Sequence, residues 1–265
     1  LTYSLDTDAI NGSVVIDGTV ATYTPTSNFN GIDSFVYMAN DGELSDTAEV
    51  ALTIDPVNDA PILATVSDVS FDEDSSTSIT LSGSDVDGDG LSYSISAGTD
   101  ITATLTGSDV SFSAPTNFNG SESFTITVSD GELSDSETFI ITVNAVNDAP
   151  TLATVSDVSF DEDSSTSITL SGSDIDGDDL IYSITAGTDI TATLTGSDVS
   201  FSAPADFNGS ETFTVTVSDG ELSDSQSITV TVNAVNDAPV ATIDLSDTTN
   251  EDQNIVITLS GTDID

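Results

Sequence analysis

The hexapeptide AVNDAP at 145–150 returns at 234–239, and as PVNDAP at 56–61, so its asparagine falls at 58, 147 and 236. The differences 147 − 58 and 236 − 147 are both 89, and DGELSD recurs with the same spacing from Asp41, Asp130 and Asp219. A fixed period of this size means one folding unit repeated in tandem, so the question of fold reduces to that of a single repeat. The spacing divides the chain into the C-terminal part of a repeat at 1–57, complete repeats at 58–146 and 147–235, and the N-terminal part of another at 236–265. The chain opens on LTYS and closes on DID, cutting the repeat at both ends, and is expected to be a segment of a longer polymer-like chain.

Within one repeat the apolar residues alternate with Ser and Thr, as at Phe124, Ile126 and Val128, at Phe139, Ile141 and Val143, and at Ile228, Val230 and Val232. That is the period of a strand buried on one face, and no 3.6-residue stripe competes with it. Short runs bounded by Asp, Gly, Asn and Pro predict strands near Val66–Phe71, Ser78–Ser82, Leu91–Ile95, Ile101–Leu105, Val110–Ala114, Ser123–Val128 and Thr138–Asn144. About seven strands in such a length predict an all-β Greek-key sandwich of immunoglobulin type, with successive domains joined end to end.

Charge decides what such a unit can do. The 265 residues hold 47 Asp and Glu, no Lys, Arg or His and no Cys, for a formal charge of −47. Nothing can neutralise phosphates, so neither nucleic acid nor an anionic membrane surface is a partner. Catalysis by His, Lys or Cys is impossible, and nothing in the acidic loops suggests a carboxylate pair set in a cleft, so no enzyme is expected. High charge favours disorder, but a hydrophobic fraction of 37% placed in strict alternation argues for a folded core. No run of about 18 apolar residues and no signal peptide occurs in this segment.

An odd number of alternating strands delivers entry and exit to opposite poles. The DEDS turn at Asp72 and the NFNGSE turn then lie at the exit pole, while DVDGDG at Asp85 and SDGEL at Asp130 lie at the entry pole. At a junction such as that around Asn147 and Asp148, the residues Asp72, Glu73, Asp74 and Glu122 are expected to face Asp174, Asp176 and Asp219. Each like-charge pair at ~4 Å costs about 1 kcal/mol in water and more where solvent is excluded. With no basic residue in the chain, a bound cation is the remaining counter-charge. All-oxygen ligands suit Ca²⁺, which takes 6–8 of them in flexible geometry, better than Mg²⁺. Asp-x-Asp on extended chain aims two carboxylates the same way. NDAP then reads as a ligand-bearing linker whose proline restricts the backbone beyond it.

These residues resemble the extracellular cadherin repeat, and more closely the cadherin-like tandem repeats of very large bacterial surface and adhesin proteins, over the whole chain. VNDAP resembles the Asp/Asn-rich linker followed by Ala-Pro; DVD, DID and the final DID resemble the family's Asp-Ala-Asp; VSDGE resembles its Ala-x-Asp-x-Gly; and Glu73, Glu162 and Glu251 resemble its early-strand Glu. The resemblance implies a seven-strand sandwich whose linkers bind several Ca²⁺ that stiffen the array. The metal ligands expected are Asn58, Asp59, Glu73, Asp85, Asp87, Asp130, Asn147, Asp148, Glu162, Asp174, Asp176, Asp219, Asn236, Asp237, Glu251, Asp263 and Asp265, with Asp33, Asp41, Asp72, Asp74, Glu122 and Glu211 as further candidates. The family's acidic Asp-x-Glu before the sixth strand is here NGSES or NGIDS, which weakens the case for Asp33, Glu122 and Glu211.

Two rival readings of the same motifs are weaker. DVDGDG opens like an EF-hand loop, but its twelfth position is Ser96, and the next copy has Asp179 at the glycine position. NFNG at 28 and 117 and DFNG at 206 read as turns over a buried Phe. The function expected is a calcium-rigidified spacer in an extracellular adhesin stalk or surface fibre. Its partners are neighbouring repeats of the same chain. The alternative is direct association of identical chains, by homophilic adhesion or by lateral packing into a filament or sheath.

Overall fold

A computed structural model describes residues 1–242 and 248–264, and among these it contains strands and turns but no helix. The chain forms two compact units, Leu1–Val146 and Asn147–Asp265.

In the first unit β1 (Thr2–Thr7), β2 (Gly12–Asp17), β3 (Val20–Pro25), β4 (Gly31–Asn40) and β5 (Ser45–Ile54) precede the linker. They pair as a three-stranded sheet β1-β4-β5 and a hairpin β2-β3. After the linker come β6 (Ile62–Leu63), β7 (Val69–Asp72), β8 (Ser76–Thr80), β9 (Gly83–Ser84), β10 (Ser92–Ile95), β11 (Thr102–Thr106), β12 (Asp109–Ser113), β13 (Gly120–Ser129) and β14 (Ser134–Asn144). Here a four-stranded sheet β10-β13-β14-β7 and a three-stranded sheet β11-β12-β8 make the sandwich, with β6-β9 as a short accessory pair.

The second unit repeats this plan. It comprises β15 (Thr151–Leu152), β16 (Val158–Asp161), β17 (Ser165–Thr169), β18 (Gly172–Ser173), β19 (Ile181–Ile184), β20 (Thr191–Thr195), β21 (Asp198–Ser202), β22 (Gly209–Ser218) and β23 (Ser223–Asn233), then a short pair, β24 (Val240–Ala241) and β25 (Gly261–Thr262).

Alternation places the core where the sequence predicts it. Phe124, Ile126 and Val128 of β13 and Phe139, Ile141 and Val143 of β14 are buried against Val110 and Phe112 of the facing sheet. Phe112 meets Phe124 edge-on at 5.4 Å and Phe139 at 6.0 Å, geometries that favour aromatic pairs. The second unit has Ile228 where the first has Phe139 and retains the edge contact Phe201–Phe213 at 5.5 Å.

The opposite faces of these hairpins are nearly free of charge. Thr125 lies opposite Thr138, Thr127 opposite Ser136 and Ser121 opposite Thr142. In β22 and β23 the five outward pairs, from Ser210–Thr231 to Ser218–Ser223, are all Ser or Thr. Acidic motifs collect in the turns at the two poles, while a few strand carboxylates, such as Glu122, Asp135 and Glu137, point to the other face.

The first strand departs from expectation. In place of one run over Val66–Phe71, β6 pairs with β9 and β7 runs parallel to β14. Between them side chains stand in for a neighbouring strand: Asp135 accepts the Leu63 N–H at 2.9 Å, Glu137 the Val66 N–H at 2.8 Å, and Asp68 the Ile140 N–H at 2.7 Å. In the second unit Gln226 replaces Glu137, accepting the Val155 N–H and donating to the Val155 carbonyl.

Candidate metal centre

The hairpin turns and the parallel strand bring the acidic motifs to two poles of each repeat. At the entry pole, Asp85 Oδ1 accepts N–H groups from Asp87, Gly88 and Asp89 at 2.8, 3.0 and 3.3 Å, which holds the DVDGD loop in a tight turn. Its Oδ2 is buried with no hydrogen-bond partner. Asp87 Oδ2 accepts the Asp59 N–H of the linker at 2.8 Å, and Asn58 donates to Asp130 Oδ2 at 2.9 Å. Asp130 Oδ1 takes the N–H groups of Glu132 and Leu133, both at 2.7 Å. The Leu133 amide, Asn58 and the Glu132 amide together hold the Asp130 carboxyl below its ordinary range.

The second unit reproduces this set: Asn147 on Asp219 at 2.9 Å, the Asp148 N–H on Asp176 at 2.8 Å, and Asp174 closing its own turn with its Oδ2 again buried and unpartnered. Asn147 leads the causes that lower the Asp219 carboxyl, followed by the Glu221 amide. In the first repeat Asp41 accepts from Glu43 and Leu44 at 2.9 and 2.8 Å and is lowered chiefly by the Leu44 amide.

At the exit pole, Glu73 is 6% exposed, with Oε1 accepting the Val146 N–H and Oε2 buried without a hydrogen-bond partner. Asp72 takes the Asn144 amide at 3.0 Å, and Asp74 the Asn117 N–H at 3.2 Å. Glu162 is equally buried and takes the Val235 N–H. Among the described residues, carboxylate oxygens gather in three groups, each within 4.8 Å: Asp85, Asp87 and Asp89; Asp174, Asp176 and Asp178; and Asp163, Asp206 and Asp237. The turns that expose these carboxylates use the left-handed region, with φ 58° at Asp74, 62° at Asp163 and 59° at Asp206, positions where Asn and Asp are the tolerated non-glycine residues.

Asp33, Glu122 and Glu211, three of the further candidates, accept main-chain N–H groups of a nearby loop. Glu122 accepts the N–H groups of Thr99 at 3.0 Å and Asp100 at 2.7 Å, and Glu211 those of Thr188 at 2.9 Å and Asp189 at 2.7 Å. Asp33 accepts from Ile10, Asn11 and the Tyr23 hydroxyl at 3.2, 2.9 and 3.0 Å. These carboxylates pin a loop to the sandwich and belong to none of the three groups.

Asp89, Asp178 and Asp206 were not among the expected ligands. Asp206 carried a signal all the same, as an acid in a turn whose other copies have Asn. Asn236 donates to the Asp237 carbonyl at 2.7 Å, and Asp263 lines a cleft shared with Asp206 and Asp237. Glu251 is exposed, and Asp265 lies outside the described residues.

A family model described as a bacterial Ig domain matches residues 1–53, 58–142 and 147–232. Among curated proteins the comparison finds no match. Among solved structures the chain is similar to protocadherin gamma B2 extracellular cadherin domains 1-5, with TM-score 0.56, 18% identity, and coverage of 89% of this chain and 53% of that one. It is also similar to PcdhgB3 EC1-4, with TM-score 0.50, 13% identity, and coverage of 88% and 67%. An endo-fucoidan hydrolase from glycoside hydrolase family 107 matches at TM-score 0.32 and 22% identity over 88% of this chain and 39% of that one, too distant to carry an argument about activity.

Proposed function

This chain belongs to the bacterial Ig domain family, and from that premise we propose that it is a calcium-stiffened repeat segment of an extracellular adhesion or surface-fibre protein. The observation that carries this reading is the set of buried carboxylate oxygens with no hydrogen-bond partner, Glu73 Oε2, Asp85 Oδ2 and Asp174 Oδ2, in a chain without a basic side chain. A buried unpaired charge is costly, and an all-oxygen donor set suits a hard divalent cation. Asp85, Asp87, Asp89 and Asp130 with linker residues Asn58 and Asp59 would hold it at the entry pole, and Glu162, Asp163, Asp206 and Asp237 at the exit pole of the second unit. When bound, calcium supplies the missing positive charge and ties linker to pole. Extracellular modules of this kind work with dissociation constants of ~10⁻⁴–10⁻³ M, so millimolar calcium fills them.

Small-angle scattering with and without chelator tests the proposal. The maximum dimension should fall, or the distribution broaden, on chelation; an unchanged profile sinks it. At calcium tenfold above the dissociation constant each site adds about 1.4 kcal/mol, so the melting temperature should also rise with calcium.

A second reading is favoured by the uncharged outer hairpin faces, the ten Ser and Thr positions of β22 and β23 among them. Identical chains could pack laterally there without opposing carboxylates. Sedimentation velocity across a wide concentration range in calcium separates the readings, since a monomer throughout leaves the spacer alone.

A further inference from the structure

Residues 1–57 hold counterparts of β10 to β14 and none of β6 to β9, which leaves one sheet of this repeat with an open edge. In the complete repeats β12 lies between β11 and β8, and β21 between β20 and β17, whereas the counterpart strand β3 pairs with β2 alone. The core beside that edge is uncovered. Ala21 is exposed and Tyr37 and Val50 are half-buried, where the counterparts 89 residues on, Val110, Ile126 and Phe139, are buried. These three side chains, with Tyr3, Ile16 and Phe35, line a cleft of about 290 Å³. The far end of the chain carries a matching piece. At the spacing of 89, Ile255, Ile257 and Leu259 stand in register with Thr166, Ile168 and Leu170. Leu170 is 2% exposed and Leu81 4%, but Leu259 is 81% exposed, and residues 253–260 form no strand. Large aliphatic residues at alternate positions, left in solvent, make a strand without a sheet. Neither β3 nor residues 253–262 contain an acid, so in a chain of charge −47 these two segments can meet without opposing carboxylates.

We propose that the open edge of β3 takes residues 254–258 of a second copy as an added antiparallel strand, so that copies of this chain join head to tail. The pairing of β12 with β8 supplies the register, which sets Tyr23 opposite Ile255, Ala21 opposite Ile257 and Val20 opposite Thr258. Leu259 then enters the core as Leu81 does in its own repeat. Main-chain hydrogen bonds supply affinity and the alternate side chains specificity, as at any sheet edge that accepts a strand. The contact joins unlike surfaces, so it extends from copy to copy instead of closing on a pair. It uses neither the acidic poles nor the Ser and Thr faces, and it stands independently of calcium.

The test is sedimentation velocity of the whole 265-residue chain over a wide concentration range, in ~0.5 M salt so that repulsion between copies of charge −47 is screened. Wild type should grow with concentration into dimers and longer species. Ala21→Asp and Leu259→Asp should each weaken association by about tenfold or more. Their melting temperatures should stay at the wild-type value, because both side chains are exposed in the separate chain. An equimolar mixture of the two variants keeps one working edge and one working tail, and should stop at the dimer. A chain with residues 236–265 and Gly-Asp-Gly fused ahead of Leu1 fills its own edge and should remain a monomer. The inference is overturned if wild type stays monomeric throughout, if either variant associates as wild type does, or if the fused chain still associates. Lateral packing through the Ser and Thr faces would ignore both substitutions, so the two modes are distinct.

Discussion

Glu122 and Glu211 show how a carboxylate in an acidic chain serves the fold through main-chain amides. Burial works against ionisation of Glu122, but the amides of Asp100, Thr99 and Ile101 outweigh it and hold the carboxyl below its ordinary range. For Glu211 the Asp189 amide is the leading cause. A lowered native pKa adds stability that is fully present above the unfolded value, near 4.3 for Glu, and is lost as pH falls through the native value. Thermal melts should therefore hold level from neutral pH down to about 5 and fall away below about 4. Glu122→Gln and Glu211→Gln should flatten that acid limb and lower the melting temperature at pH 7 by roughly 5 °C each, because the two N–H groups bond different carboxylate oxygens and glutamine replaces one of these by a donor.

The loop these side chains pin tolerates no Cβ at Gly98, where one would lie 2.0 Å from the Ile101 carbonyl and 2.6 Å from Glu122 Oε2. Gly98→Ala should destabilise its repeat by on the order of 3 kcal/mol in urea unfolding. Neither role could be read from the sequence. Glu122 sits on the inward-facing register of β13, opposite Ile141, and nothing in the sequence marks its loop partner 22 residues away.

Among elements, the long hairpin β13–β14 was legible because strict alternation of Phe, Ile and Val with Ser and Thr has only one way to bury itself. The leading strand was not. Its split into β6 and β7 depends on Asp135 and Glu137 accepting main-chain N–H groups, and acids inside a strand pattern carry no mark of the distant amide they bind. Asp135→Ala leaves the Leu63 N–H without its acceptor and should cost about 1–3 kcal/mol, read as a shift of the urea midpoint with unchanged slope. At the entry pole the loop holding Asp85 was legible from its Asp-x-Asp-Gly spelling, since Asx turns and positive-φ glycine are local chemistry. The third acid of that loop, Asp89, escaped notice because only the closed turn brings its carboxylate to the other two.

At the scale of the molecule, tandem organisation follows from the period alone, and three matches to one domain family fall at that spacing. Pole assignment followed from strand parity within a repeat, and the ties between Asn58 and Asp130 and between Asp59 and Asp87 agree with it. If calcium is the counter-charge, millimolar chelator should lower the melting temperature of the whole chain, and added magnesium should restore it less fully than added calcium, as circular dichroism melts would show.

Neutral hairpin walls have a consequence for how the two ends of a repeat communicate. A strand of ten residues such as β13 spans about 33 Å, whereas at 0.15 M ionic strength charges fade over about 8 Å. The acid clusters at opposite ends of one sandwich are thus several screening lengths apart. Filling one with cation leaves the potential at the other almost unaltered. If both ends bind calcium, any cooperativity in loading must pass through movement of the strands themselves, and a rigid sandwich would load its two ends as independent sites.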